Sequence, residues 1–407
     1  MSVFSSAAVC LPPYAPHDAR WQSWAAIACD QFTSELGYWR RAEAARAGAP
    51  STLDLFLPEA YLGTPEEAPR RARIASAMAS SSWRTLPDAM VYLERTLPDG
   101  RVRRGLVGKI DLEAYDYAPG SAPAVRATEA TVLERIPPRV EIRAQATVEL
   151  PHVMVLTDGA GPLFARLPSL VGEAELLYDF DLMLGGGRAV GYALTGAALG
   201  AVRAEIAAYE TARAGAMMYA VGDGNHSLAA AKAHYESLRR TLGDAAAAAH
   251  PARYALIELV DVGDPALDFE PIYRIVTHVE PAGLLAALEA VSAPGSGAQS
   301  VRVLCGGAER EVHFVQPTHA LTVGTLQDFL DGYLAAHPAA KCDYIHGEAS
   351  LRALSGETGA VGFLFEGMRK EALFPYVLAH GTLPRKTFSM GEAASKRYYI
   401  EARRIVL

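Results

Sequence analysis

The apolar run Met217-Met218-Tyr219-Ala220-Val221, broken at once by Gly222-Asp223-Gly224-Asn225-His226-Ser227, constrains this chain more than any other segment. A run this short that stops at a glycine predicts a buried strand. Beyond it, Leu228, Ala231, Tyr235, Leu238 and Leu242 recur at three- and four-residue spacing, the mark of one helical face. Ser227 is the expected N-cap, because its hydroxyl can satisfy a first-turn amide. The segment therefore predicts a strand, a glycine turn and a helix entrance holding an acid, an amide, an imidazole and a hydroxyl. Unpaired N–H groups and the positive end of the helix dipole suit such an entrance to phosphate. Asp-Gly and Gly-Asn pairs are also ordinary turn chemistry, so spacing alone leaves a simple capped turn open.

Around this segment the pattern is mixed α and β. Met90 to Leu93 and Arg101 to Leu112 read as strands joined by a turn at Pro98-Asp99-Gly100, and His152 to Thr157 as a buried strand. A helix is expected through Trp39 to Arg46, closing at Gly48, and another with its seam at Val202, Ile206 and Tyr209. Pro137 and Pro138 are expected to end any helix that reaches them. Tyr254 to Val260 is again continuous and apolar, so strand, helix and strand in this order predict a βαβ crossover with both sheet faces covered. The fold class expected is α/β, of the mixed α+β kind. A chain of 407 residues exceeds one small core. Three segments are expected: 1–160, a motif-bearing core at 161–291, and a C-terminal α+β segment at 301–407 that returns a basic strand to the site. The Ser-, Gly-, Ala- and Pro-rich stretch Ser292 to Ser300 is the linker before the last of them. It is followed by a hairpin, Val301 to Cys305 with Glu311 to Val315, and a helix at Leu326 to Ala336.

A formal net charge of −8 argues against binding nucleic acid through its backbone phosphates. The most apolar stretch, Ala189 to Val202, is too short to span a bilayer, so no membrane partner is expected. Cys10, Cys29, Cys305 and Cys342 are far apart, without zinc or redox spacing. With no signal peptide pattern at the N-terminus, a cytoplasmic protein is expected, and a homodimer is allowed.

Four constellations compete for the chemistry. The first is Asp223, Asn225, His226 and Ser227, with His226 a donor or acid–base group and Asp223 a proton acceptor or metal ligand. The second is Arg126, Glu129, Arg135 and Arg139, whose guanidinium forks suit phosphate and whose carboxylate suits a hydroxyl; a surface salt-bridge strip is the plain alternative. The third is Asp179 and Asp181 before Gly185-Gly186-Gly187, oxygen ligands for Mg²⁺ or an acidic turn. The fourth is Arg385-Lys386-Thr387, a basic patch that either returns to a phosphate or is solvated. Together they are the parts of phosphoryl transfer, in which positioning and charge neutralisation dominate. No Walker-type loop, dinucleotide fingerprint or Gly-x-Ser-x-Gly elbow occurs.

Asp223-Gly224-Asn225-His226-Ser227 resembles the Asp-Gly-His-His-Arg motif of a large bacterial and archaeal family, domain of unknown function 1015, described as ParB-like. Cys29-Asp30-Gln31-Phe32-Thr33-Ser34 is similar to its N-terminal signature, and Arg126 to Arg139 to its Arg-Ala-Thr-Glu segment. Phe269-Glu270-Pro271-Ile272-Tyr273-Arg274 matches a Pro-x-His-Arg element, and Pro384 to Thr387 a Pro-x-Lys-Ser/Thr element. The resemblance spans nearly the whole chain and implies a ParB/sulfiredoxin-like core with a phosphate site at the strand–turn–helix. That superfamily includes nucleotide-handling segregation proteins, sulfiredoxins and free-serine kinases, whose Asp-Gly-His-Thr-Arg motif is the nearest relative of the one here. Genes of the family often lie beside serine-biosynthesis genes. Two positions depart from the pattern: Ser227 replaces the terminal Arg, and Tyr273 replaces the His of Pro-x-His-Arg. Sulfiredoxin chemistry is disfavoured, since the motif holds no cysteine.

The expectation is a Mg²⁺-dependent phosphotransferase that uses ATP or ADP on a small hydroxylated metabolite, serine first. Asp223, His226 and Glu129 would be catalytic. Gly224, Asn225, Ser227, Arg126, Arg135 and Lys386 would hold the nucleotide, and Asp179 and Asp181 the metal. A non-catalytic sensor of a nucleotide or phospho-metabolite, and a phosphoserine-type phosphatase, are the alternatives.

Overall fold

The computed structural model describes residues 2–28, 32, 35–118 except 81, 120–172, 174–293, 295 and 297–407. They form two compact units, Met1–Leu267 with Glu392–Leu407, and Asp268–Gly391. This division differs from the three segments expected, and the Ser292 to Ser300 stretch lies inside the second unit.

The first unit is built on a mixed sheet whose strands, in chain order, include β1 (Arg84–Thr96), β2 (Val102–Asp111), β3 (Tyr115–Asp116), β4 (Val125–Ala127), β5 (Val153–Thr157), β6 (Glu175–Asp181), β7 (Arg188–Leu194), β8 (Tyr219–Asp223) and β9 (Tyr254–Asp261). Their order across the sheet is β6-β7-β1-β2-β9-β5-β8-β4-β3. Period-two alternation divides each strand between two cores. Met90 and Tyr92 of β1 and Leu106 of β2 join Tyr219, Val221, Leu228 and Tyr235 in one. Val91, Leu93 and Val107 join Trp21, Trp24, Trp39 and Tyr178 in the other. With a core on each face, β5 is buried at every residue, as its continuous apolar run requires.

Three helices of this unit are α1 (Ile136–Gln145), α2 (Gly196–Ala212) and α3 (Asn225–Leu242). The prolines expected to end a helix instead begin α1, because first-turn residues need no intrahelical acceptor for their N–H. The predicted βαβ crossover is not formed. β8 is antiparallel to β5, and β5 is parallel to β9, so the strands flanking α3 run in opposite directions with β5 between them. On α3, Leu228, Ala231 and Tyr235 are buried, whereas Leu242 is 45% exposed beyond the edge of the core.

In the second unit, Phe269–Thr277 pairs with Lys341–His346, Val361–Leu364 and Phe388–Met390. The predicted hairpin is present as Ser300–Cys305 with Ala308–Phe314, and the predicted helix runs Thr322–Ala336. The unit's two ends meet: the Gly391 N–H donates to the Asp268 carbonyl at 2.9 Å, and Phe269 stacks on Phe388 at 3.9 Å. A chain whose entry and exit are paired this way can resume the first unit at Glu392.

Candidate functional site

The motif lies where β8 hands over to α3. Gly224 takes φ +81° and caps the helix. A Cβ there would stand 3.0 Å from His152 Cδ2 and 3.1 Å from Val153 Cα, so only glycine gives both the dihedral and the space. Ser227 is therefore not the N-cap; it is the third helical residue. The helix's first internal bond runs from the Leu228 N–H to the Gly224 carbonyl. The amides of Asn225, His226 and Ser227 precede it and have no acceptor within the helix.

Neighbouring segments orient the motif side chains. Thr128, just past β4, donates its N–H to Asn225 Oδ1 at 3.2 Å and its hydroxyl to the Val221 carbonyl at 2.7 Å. The Val132 N–H donates to His226 Nε2 at 3.2 Å, which makes that nitrogen an acceptor and leaves the ring proton to Nδ1. Glu129 lies between these two anchors, half-buried. Arg126 registers against Ala220 of β8, and its Nε donates to the Pro123 carbonyl at 3.3 Å. Arg135 is exposed at the head of α1, whose Ile136 packs on Ala229 and Ala230 of α3. Arg139, by contrast, is committed to an ion pair with Glu59.

Asp223 has partners on both oxygens. Oδ1 accepts the Gly224 N–H at 2.8 Å, and Oδ2 accepts Lys396 Nζ at 2.9 Å. Burial by itself would raise its carboxyl. The Lys396 ammonium, the neighbouring His152 and the Gly224 N–H outweigh that and hold it below the usual carboxylate range. His152 Nδ1 is in turn 2.7 Å from the Tyr399 hydroxyl.

The fold thus assembles Asp223, Gly224, Asn225, His226 and Ser227 with the Arg126–Arg135 segment, Glu129 included. It does not bring in Asp179 and Asp181. They lie on the edge strand β6, six strands from β8 in the sheet order, on the order of 30 Å at about 4.8 Å per strand. Asp179 is held there by Arg188 at 2.6 Å, and among the described residues no group of three His, Cys, Asp or Glu side chains is placed to hold a metal. Lys386 belongs to the second unit. There it sits at φ +54°, in a turn whose Lys386 and Arg385 carbonyls accept from the buried Arg274 at 2.9 and 2.7 Å. Of the N-terminal signature, Cys29-Asp30-Gln31 and Thr33-Ser34 lie outside the described residues; Phe32 stacks on Tyr38 at 3.8 Å.

Sequence reasoning missed Thr128, His152, Lys396 and Tyr399. The one signal for the last two is the cation pair Lys396-Arg397 set directly against the apolar run Tyr398 to Ile400.

Fold and site define a mixed α+β protein with a glycine-turned, cation-flanked helix entrance. The chain belongs to the family described as "Protein of unknown function (DUF1015)", which matches residues 12–337. No curated protein sequence matches it. Similar solved structures include a mutant free serine kinase in complex with ADP, at 10% identity and TM-score 0.40, covering 75% of this chain and 93% of that one. They also include a conserved hypothetical protein from Pyrococcus furiosus, at 10% identity and TM-score 0.37, covering 72% and 90%. A third is C-terminally truncated SbnI from Staphylococcus aureus, at 10% and 0.37, covering 72% and 85%. Among the described residues no helix is long and apolar enough to cross a membrane.

Proposed function

We propose that this protein is a phosphotransferase that draws on ATP or ADP, with Mg²⁺, and acts on a small hydroxylated metabolite, serine being the first candidate. The observation that carries the reading is the Gly224 cradle. A positive-φ glycine, crowded so that no Cβ fits, opens onto three helix amides, while Arg126, on the strand paired with β8, and Arg135, at the head of the helix packed on α3, have no carboxylate partner among the described residues. That donor set fits the oxygens of a phosphate chain.

In this reading the amides of Asn225 to Ser227 hold phosphoryl oxygens and Arg126 and Arg135 neutralise them. His226 donates from Nδ1, because Nε2 is occupied by the Val132 N–H. Asp223, held below the usual carboxylate range, is a poor proton acceptor, and the acceptor hydroxyl's proton passes to Glu129 as its oxygen bonds to phosphorus and the nucleotide's P–O bond breaks. Mg²⁺ would neutralise phosphate charge, and the Glu129 carboxylate has oxygen chemistry that suits it. Serine as acceptor comes from the motif's resemblance to the free-serine kinases.

Ser227 in place of the motif Arg favours a second reading, a sensor that binds a nucleotide or phospho-metabolite without turnover. ³¹P NMR of the protein with Mg²⁺, ATP or ADP and serine separates the two. A new phosphomonoester resonance, absent with Glu129→Gln, is the expected result; binding with unchanged nucleotide spectra would replace the kinase with the sensor.

A further inference from the structure

Lys396 and Arg397 are consecutive, and each engages a different carboxylate of one sheet row. Asp223 of β8 and Glu258 of β9 both register against Met154 of β5. Arg397 pairs with Glu258, bonds Glu401 at 2.7 Å and donates Nε to the Pro151 carbonyl at 2.7 Å. The backbone around Lys396 is pinned as well. Arg95 donates to the Ala394 carbonyl at 3.2 Å, Arg103 to that of Ser395 at 3.1 Å, and the Ala28 N–H to that of Arg397 at 2.7 Å. The fold therefore delivers Lys396 to Asp223 on a segment fixed by buried arginines. Its side chain is only 6% exposed, and an ammonium removed from water is costly unless it is well paired.

The electrostatics of the motif give this placement a purpose. A lone carboxylate at a helix entrance occupies the positive end of the dipole and repels phosphate. Its charge is cancelled when an ammonium holds its second oxygen. The groups facing Asp223 are Lys396 from the C-terminal segment, His152 ahead of β5 and the Gly224 N–H of its own turn.

We propose that Lys396 is a positioning residue of the motif: its ammonium orients the Asp223 carboxylate and cancels its charge, so that the first-turn amides of α3 accept a phosphate. The inference rests on the phosphate reading of the site. A double-mutant cycle on the full chain tests it, with MgADP as the calorimetric probe and Lys396→Met, Asp223→Asn and the double variant compared with wild type. Lys396→Met weakens binding by about tenfold or more, since it leaves one uncompensated charge beside the phosphate. The double variant recovers most of that loss. Wild-type affinity in Lys396→Met overturns the proposal. So does a double variant as weak as Lys396→Met, which would mean that Lys396 meets the ligand directly.

If wild type binds no MgADP, the phosphate reading fails by itself, and ¹³C NMR of the Asp223 carboxyl then decides the role of Lys396. An upward move of its titration in Lys396→Met supports the role, and an unmoved one overturns it. Should Lys396→Met not fold, the wild-type titration suffices: a midpoint below the ordinary aspartate value of about 3.9 supports the pairing, and one at or above it overturns it.

Discussion

Replacing Gly224 by alanine separates two costs that the structure assigns to one atom. The left-handed conformation at φ +81° penalises an L-residue by about 1–2 kcal/mol. The new methyl would also stand 3.0–3.2 Å from His152 Cδ2, Val153 Cα and Val153 Cγ2. Two of those three atoms belong to a buried strand that cannot move aside, and overpacking of this kind costs about 1–3 kcal/mol. Gly224→Ala should therefore destabilise the first unit by about 2–5 kcal/mol. Gly100→Ala is the control, since Gly100 has φ +87° and nothing within 4 Å of its Cβ position; it should lose only the conformational part. Urea unfolding followed by tryptophan fluorescence reports the right unit, because Trp21, Trp24, Trp39 and Trp83 all lie in it. Equal losses in the two variants would refute the close approach and, with it, the claim that the cradle admits only glycine.

His226→Ala should abolish nucleotide turnover, measured by ³¹P NMR, while costing stability only about 1 kcal/mol for the lost Val132 N–H acceptor; retained turnover would remove His226 from the chemistry. Burial by itself would raise the Glu258 carboxyl, but Arg103 and Arg397 overcome it and hold it below the usual range. The unfolded chain thus binds this proton more readily, so the stabilisation is complete above the unfolded value of about 4.3 and is lost as pH falls through the lower folded value. Melting temperatures should be flat from neutral pH to that point and then drop, with a shallower drop in Glu258→Gln; identical acid limbs would exclude Glu258 as a cause. Arg274→Met should loosen the Arg385-Lys386 turn, seen as faster amide hydrogen exchange at 385–388; unchanged exchange would show that the turn holds without its buried guanidinium.

Local patterns were legible wherever one segment decides its own conformation. The hairpin around Pro98-Asp99-Gly100, the buried strand after His152 and the α3 seam at Leu228, Ala231 and Tyr235 follow from turn chemistry and hydrophobic period. The misplaced N-cap has a local cause as well: Gly224 offers the left-handed geometry one step before a hydroxyl is needed, so Ser227 falls inside the helix. Pairing partners were not legible. The apolar strands on either side of α3 suggested a crossover, and nothing in their residues shows that β5 inserts between them with mixed direction. Asp179 and Asp181 have the composition of a metal pair, but their strand sits at the sheet's far edge with Arg188 on the carboxylate.

The sequence by itself determined that a glycine turn would present an acid, an amide and an imidazole at a helix entrance, because backbone dihedrals and helical period are properties of adjacent residues. Through the family resemblance it also pointed to Arg126 to Arg139 as a companion segment, of which Arg139 is paired with Glu59. Only the tertiary structure decided which charges meet there. Lys396 lies 173 residues from Asp223, and their contact depends on a chain that leaves the first unit, closes the ends of the second upon themselves and comes back over the buried Glu258–Arg397 pair. Contacts of that separation are set by whole-sheet packing, for which no local spacing rule exists.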